Sequence, residues 1–376
     1  MSKFKKFIPV NTPLINESDA LAVYNSIKSG WISSEGPNVK KFETKIAKYI
    51  GRKYASAVSS GTAALEVAIK SLSLKKGDEV ILPAFTIISN VNAIIKTGAK
   101  PVVVDVDIKT WNIKIEDIEK KINKNTRCLM LPHIYGLTNN MDRILKIVKK
   151  NKLFLIEDAA EVFGLKYKNK YCGSFGDISI LSFYANKHIT TGEGGMLLTN
   201  NPKLNDKIIN YKNLCFGKGQ DRFKNSDIGW NYRYTNLQAS LGLNQLKRIN
   251  NIIKKKFHIG NYYYKHFKNL KNIILQPNKL PYCKNIYWVF GIVVKKKSKI
   301  KIEDVIKKLN QKNIGTRPFF WPVHKQKFLI KNKYIKRIRL PNSEYIANNG
   351  FYIPSGLGLN SKELEYIKNT VVDIFK

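Results

Sequence analysis

The run SFYANKHITTGEGG, residues 182–195, sets one lysine between a short apolar stretch, ISILSFY, and a turn rich in threonine and glycine. Residue type alone says little about Lys187, because the chain holds 66 lysines and arginines. Its setting says more. The three glycines of TTGEGG mark a tight loop that lets backbone approach a ligand closely. A buried amine beside a cationic ring is kept neutral and nucleophilic, and such an amine can form a Schiff base with an aldehyde.

Other segments offer partners for that chemistry. In VSSGTAALEVAI, residues 58–69, the turn Ser60-Gly61-Thr62 runs straight into a helix. Backbone N–H groups and the helix dipole converge there and can bind a phosphate. The same residues equally make an ordinary helix cap. In LFLIEDAAEVFG, Asp158 closes an apolar strand and Glu161 follows within a turn. A carboxylate there needs a cation or a strong donor. A protonated pyridine nitrogen meets that need, and so does the start of a helix. An acid that keeps a pyridine protonated makes the ring an electron sink. Ser182 could add a hydroxyl to a phosphate site. Phe85, closing DEVILPAF, could stack on a planar ring or simply fill the core. His133 in PHIYG, with Asn231 and Arg233 in IGWNYRYTNLQA, stands near turns without a specific signal of its own.

The elements that must position these residues alternate. GDEVILPAF, KPVVVDVD, RCLMLPHIYG, LFLIEDAA and ISILSFY read as strands buried on both faces, the texture of a parallel sheet. TAALEVAIKSL, SNVNAIIKTG and MDRILKIVKK read as helices between them. This alternation predicts an α/β, doubly wound sheet with its ligand at the C-terminal strand ends. From about Asn231 the texture changes to a long amphipathic helical region, then the strand YWVFGIVV and two further helices. Residues 1–245 are therefore expected to form a large domain with an N-terminal segment, and residues 246–376 a smaller α+β domain.

Composition bounds the alternatives. The 376 residues are enough for one large domain with an appendage, or for two domains. The formal net charge of +39 could serve nucleic acid, an anionic surface or phosphorylated substrates. The lysines are scattered in short clusters, however, which reads as solvated faces rather than a nucleic-acid arm. Cys128, Cys172, Cys215 and Cys283 lie far apart with no CxxC pair, so neither a metal site nor a disulfide framework is expected. The N-terminal MSKFKKFIPVNTPL lacks a signal-peptide core, and no apolar run approaches about 18 residues. A cytoplasmic protein without a membrane span is expected.

Taken together and in order, SSGTAAL, PAFT, EDAAE, SFYANKHITTGEGG and NYRYTNLQA resemble the DegT-type nucleotide-sugar aminotransferases. The resemblance runs from SGWISSEGP to the last helix. It implies the aspartate-aminotransferase-like fold of type I pyridoxal-phosphate enzymes and pyridoxal 5'-phosphate as cofactor. By that resemblance Lys187 is the catalytic lysine that holds the cofactor and shuttles its proton. Asp158 is the partner of the pyridinium nitrogen, Glu161 lies near the ring hydroxyl, and Phe85 is the stacking aromatic. Ser60, Gly61, Thr62 and Ser182 cradle the phosphate, and Asn231 reaches it from a neighbouring subunit. The resemblance thus implies a homodimer with composite active sites.

The run RPFFWPVH within NIGTRPFFWPVH, residues 313–324, resembles the GDP-perosamine synthase branch of that family. That branch aminates C4 of GDP-4-keto-6-deoxymannose with glutamate. Arg317, Phe320 and His324, with Trp31 and Arg233, are the expected substrate contacts. A UDP- or dTDP-keto-deoxysugar, amination at C3, or sugar 3-dehydration are the alternatives. The dehydrating branch carries a histidine where the lysine should stand. Here the lysine fills that slot and His188 falls one position beyond it.

Overall fold

The computed structural model describes residues 6–376. Residues 1–5, part of the segment read above as lacking a signal-peptide core, lie outside the described residues. Seven strands build the central sheet: Tyr54–Val58 (β1), Glu79–Pro83 (β2), Lys100–Val104 (β3), Thr126–Pro132 (β4), Phe154–Asp158 (β5), Ile178–Ser182 (β6) and Gly195–Thr199 (β7). Their spatial order is β1-β7-β6-β5-β4-β2-β3. The strands from β3 through β6 pair in parallel, and β7 runs antiparallel to both β1 and β6. Alternation of apolar strand and amphipathic helix gives this parallel core. The inner strands are buried on both faces, so they read as unbroken Val, Ile and Leu.

Four helices matter for the site: Glu17–Lys28 (α1), Pro37–Ile50 (α2), Gly61–Ser71 (α3) and Ile88–Lys96 (α4). Ser60 caps α3, its hydroxyl accepting from Ala63 N at 3.0 Å. Ala63, Ala64, Leu65, Val67, Ala68 and Ile69 are all buried, so α3 is apolar nearly all round, as an internal helix must be.

The long helical region read from the sequence is two helices, Asn236–Lys247 and Ile249–Phe267, meeting at Arg248. A second, four-stranded antiparallel sheet follows, ordered Ile273–Ile274, Phe290–Val294, Gly350–Ile353, Arg317–Pro318. Its apolar cluster includes Ile8, which also bridges to Ile314. The N-terminal segment expected with the large domain therefore begins on the small sheet. The physical reason is burial: Ile8 is 1% exposed, and a site next to α1 alone would leave it wet. Two strands escaped the sequence reading, β1 and β7. In YASAV alanine and serine stand where the other strands carry bulky branched residues.

Candidate active site

The candidate residues gather at the C-terminal ends of β1, β5 and β6. Residues 183–194 connect β6 to the antiparallel β7, and this loop carries Lys187. Phe183 N donates to Gly194 O at 2.8 Å and Thr191 N to Phe183 O at 2.9 Å, pinning both ends. Gly195 starts β7 against the Ser60 turn, where an added Cβ would run into Ser60 O. At Gly61 a Cβ would stand 3.0 Å from Ser182 Cβ. Glycine at these positions is what lets the lysine loop, α3 and β6 meet.

A cavity of about 320 Å³ results. Ser60, Gly61, Thr62, Asp158, Glu161, Ser182, Lys187 and Phe320 line it among others. Thr62 Oγ1 lies 2.9 Å from Ser89 Oγ, and the first-turn N–H groups of α3 have no intrahelical acceptor. A phosphate could be held there. Across the cavity Asp158 Oδ1 accepts from Ala160 N at 3.1 Å and Oδ2 from Asn90 Nδ2 at 3.2 Å. Burial pushes the Asp158 carboxyl above its usual range, although these donors and Lys187 oppose it. Asn90 Oδ1 is buried with no hydrogen-bond partner among the described residues. A carboxyl destabilised by burial, facing the cavity, fits a cationic ring nitrogen.

Lys187 Nζ lies 3.9 Å from Glu161 Oε1 and 3.7 Å above the Trp288 ring. Glu161 Oε2 accepts from Tyr135 N at 2.8 Å. Burial raises the Glu161 carboxyl and lowers the Lys187 amine, while each one's charge pulls the other back. Burial thus moves the amine toward its neutral, nucleophilic form. The residues present thus fit a phosphorylated pyridine aldehyde: an anion site, a carboxyl for the ring nitrogen and a buried amine.

Other expected contacts fall elsewhere. Phe85 is fully buried, 5.7 Å from Tyr135 and 5.8 Å from Phe319 by ring centroid, and does not line the cavity. Past β2 residues 84–86 form a bend before α4 begins at Ile88, and this bend sends Phe85 into the core while Ile87 faces the cavity. His324 is likewise turned inward. Val323 N donates to Ala84 O at 2.9 Å, fixing the run against the end of β2. His324, 1% exposed, then pairs with Glu344 at 3.1 Å. Arg233 donates to Asn213 Oδ1 at 2.8 Å, and exposed Asn231 bridges to Asn213. Trp31, 51% exposed, offers its carbonyl to Asn236 at 2.7 Å. None of these five residues lines this cavity.

Arg317 opens instead on an adjoining cavity of about 610 Å³, which shares Tyr184, Asn186, Trp288 and Tyr352 with the first. Those four residues, with Ile87, Ser89 and Asn90, had no signal in the sequence beyond their elements. Asn90 lies one helical turn after Thr86, whose hydroxyl it meets at 2.8 Å; PAFTIISN could have hinted at that spacing. His133, Glu157 and Cys172 also cluster within metal-ligand range. His133 and Ser179 meet Glu157 at 3.1 and 3.0 Å, and the N–H groups of Gly173, Phe175 and Gly176 also donate to it. Every oxygen there has donors, which makes the cluster a buried hydrogen-bond network.

The DegT/DnrJ/EryC1/StrS aminotransferase family matches residues 13–372. The chain belongs to this family. It is 38% identical to GDP-perosamine synthase of Escherichia coli O157:H7 over 373 residues, covering 98% of this chain and 99% of that one. Among solved structures, Helicobacter pylori PseC, an aminotransferase of pseudoaminic acid biosynthesis, superposes with a TM-score of 0.93 at 24% identity, covering 98% and 99% of the two chains. The E. coli GDP-4-keto-6-deoxy-D-mannose-3-dehydratase, described with bound hydrated PLP, gives 0.88 at 26%, covering 99% and 100%. The expected α/β fold of the pyridoxal-phosphate aminotransferases is the one observed. No helix among the described residues is long and apolar enough to cross a membrane.

Proposed function

We propose that this sugar aminotransferase moves the amino group of L-glutamate to C4 of GDP-4-keto-6-deoxy-D-mannose, giving GDP-perosamine. The observation that carries the reading is an intact Lys187 between Glu161 and Trp288, in a chain similar over nearly its whole length to GDP-perosamine synthases. Pyridoxal phosphate is the cofactor, and it supplies the electron sink that lets an amino group leave one carbon and join another. The turn at Ser60, Gly61 and Thr62, with Ser182, holds its phosphate. Asp158 holds a proton at the ring nitrogen, with Asn90 fixing the carboxylate. Lys187 carries the proton between the reacting carbons, and Glu161 sets the charge of that amine.

Phe320 and Arg317 border the space where the sugar nucleotide enters, Arg317 facing its diphosphate. Asn231 reaches the phosphate of a second subunit, so the active unit is a homodimer with composite sites. Exposed Leu21, Tyr24 and Ile27 on α1, with Trp31 and Ile32 after it, support such a face. The 3-dehydratase similarity marks the second reading, in which the C3 hydroxyl is lost instead. Purified protein should be incubated with glutamate and a panel of GDP-, UDP- and dTDP-4-keto sugars, with products identified by NMR. An amine at C4 of the GDP sugar is expected. Loss of the C3 hydroxyl, or no amino transfer from glutamate, sinks the proposal.

A further inference from the structure

Lys187 rests on a ring that the rest of the molecule holds in place. Trp288 Nε1 donates to Asn186 O at 3.0 Å, so the ring is tied to the residue just before the lysine. Its carbonyl accepts from Lys256 Nζ at 3.1 Å. Lys256 also donates to Ser355 O at 2.7 Å and is 3% exposed, with no carboxylate paired to it among the described residues. Ser355 Oγ accepts from Phe290 N at 3.1 Å, and Ser355 N donates to Val10 O at 3.1 Å. Phe320 stacks on the indole at 27°. A lysine is a costly way to tie two carbonyls together inside a protein. Packing alone would place an apolar side chain there.

We propose that Trp288 is a catalytic residue whose ring face receives the Lys187 amine whenever that amine is not bonded to the cofactor, and that Lys256 is the positioning residue that holds the ring there. This rests on the reading of Lys187 as the cofactor lysine. Amino transfer requires the lysine amine to leave the cofactor and later return. Meanwhile it must stay within reach of the reacting carbons. A ring face attracts an ammonium electrostatically but accepts no proton, so the amine gives its proton up only to the carbon or to Glu161. Glu161 alone would hold the amine in an ion pair. The ring provides a second resting place, on the side where the two cavities join.

The groups facing the amine fix the sign of the test. Glu161 and Asp158, following β5, favour the ammonium, and burial disfavours it. On the lysine's own loop, His188 is buried and held neutral, chiefly by burial. Lys256 stands behind Trp288, and Tyr352 and Arg317 border the adjoining space. The indole adds to the ammonium side. Removing it therefore lets the amine lose its proton at lower pH.

Cofactor-free protein should be labelled with acetic anhydride across pH, and the Lys187 peptide followed by mass spectrometry. Trp288→Leu should move the labelling midpoint down by roughly 0.4 to 1.5 pH units. Trp288→Phe, which keeps a weaker ring, should fall between. Lys256→Met should shift it the same way, and the double variant no further than Trp288→Leu alone. The pH dependence of pyridoxal phosphate capture, followed by its visible band, should move with the labelling. An unmoved midpoint in folded Trp288→Leu and Trp288→Phe overturns the role of the ring. Additive shifts in the double variant overturn that of Lys256. If borohydride reduction traps no pyridoxal phosphate on wild-type Lys187, the cofactor reading fails, and the labelling still decides whether the ring holds the amine.

Discussion

Lys187 Nζ and Glu161 Oε1 stand 3.9 Å apart, and each side chain is only 10% exposed. Burial drives the two in opposite directions, the carboxyl up and the amine down, and each one's charge restrains the other. Burial thus weakens the hold of the charged form on each partner, and the other's charge restores part of it. A group that must both attack as an amine and deliver a proton benefits from that balance.

Glu161→Gln removes the charge that favours the ammonium. The Lys187 amine should then lose its proton at lower pH, by about one unit or more. Glu161→Asp should keep most of the effect. Capture of pyridoxal phosphate by the cofactor-free protein, measured against pH, reads this shift directly. A midpoint that stays in place in the Gln variant would mean that the carboxyl is already uncharged and only structural.

Asp158 sits at the end of β5, where burial pushes it toward its neutral form more strongly than its hydrogen-bond donors and the Lys187 charge pull it back. Its location is costly to the fold and useful to a ring nitrogen. Asp158→Asn should lower kcat by about 10²- to 10³-fold, the scale seen when one electrostatic group is removed from a site. The thermal midpoint of the cofactor-free protein should hold or rise, because a buried carboxyl is replaced by an amide. A fall in stability with unchanged turnover would make Asp158 a helix-cap residue instead.

The two ends of RPFFWPVH should behave differently. Arg317 faces the adjoining cavity, so Arg317→Ala should raise KM for the sugar nucleotide about tenfold or more while leaving the half-reaction with glutamate intact. His324 faces Glu344 in the interior. His324→Ala should cost about 1 kcal/mol of stability or more, from the lost hydrogen bond to Glu344, which keeps Leu340 N and Lys325 as partners, with KM nearly unchanged. Equal effects on KM would return His324 to the substrate site.

This contrast shows how far the sequence could be read. Strand and helix periods placed Asp158 at a strand end and Ser60-Gly61-Thr62 at a helix start, and the glycines of TTGEGG marked a tight loop after Lys187. Those signals are local, and the site's skeleton follows from them. Phe85 and His324 were misplaced because a direction was needed, not an element. The bend after β2 turns Phe85 into the core and Ile87 to the cavity, and a short turn after Pro322 buries His324. Trp288 and Lys256 were silent for another reason. They reach Lys187 from 101 and 69 residues downstream, read from their numbering, and no local pattern encodes a contact of that separation.

Lys256 offers a last test, through stability. Burial brings its ammonium from 10.5 down to about 7. Between those two values the unfolded chain binds the proton and the folded protein does not. Stability then rises with pH across the window, by at most about 1.4 kcal/mol per unit from this group. Below pH 7 both states carry the charge, and the contribution no longer changes with pH. Lys256→Met removes the dependence while filling the same space. Urea unfolding of both proteins at pH 6, 7.5 and 9 should show the wild type gaining on the variant as pH increases, with the variant relatively most stable at pH 6. Parallel pH dependence in the two proteins would mean that Lys256 keeps its charge throughout, held by the carbonyls of Trp288 and Ser355 strongly enough to offset its burial.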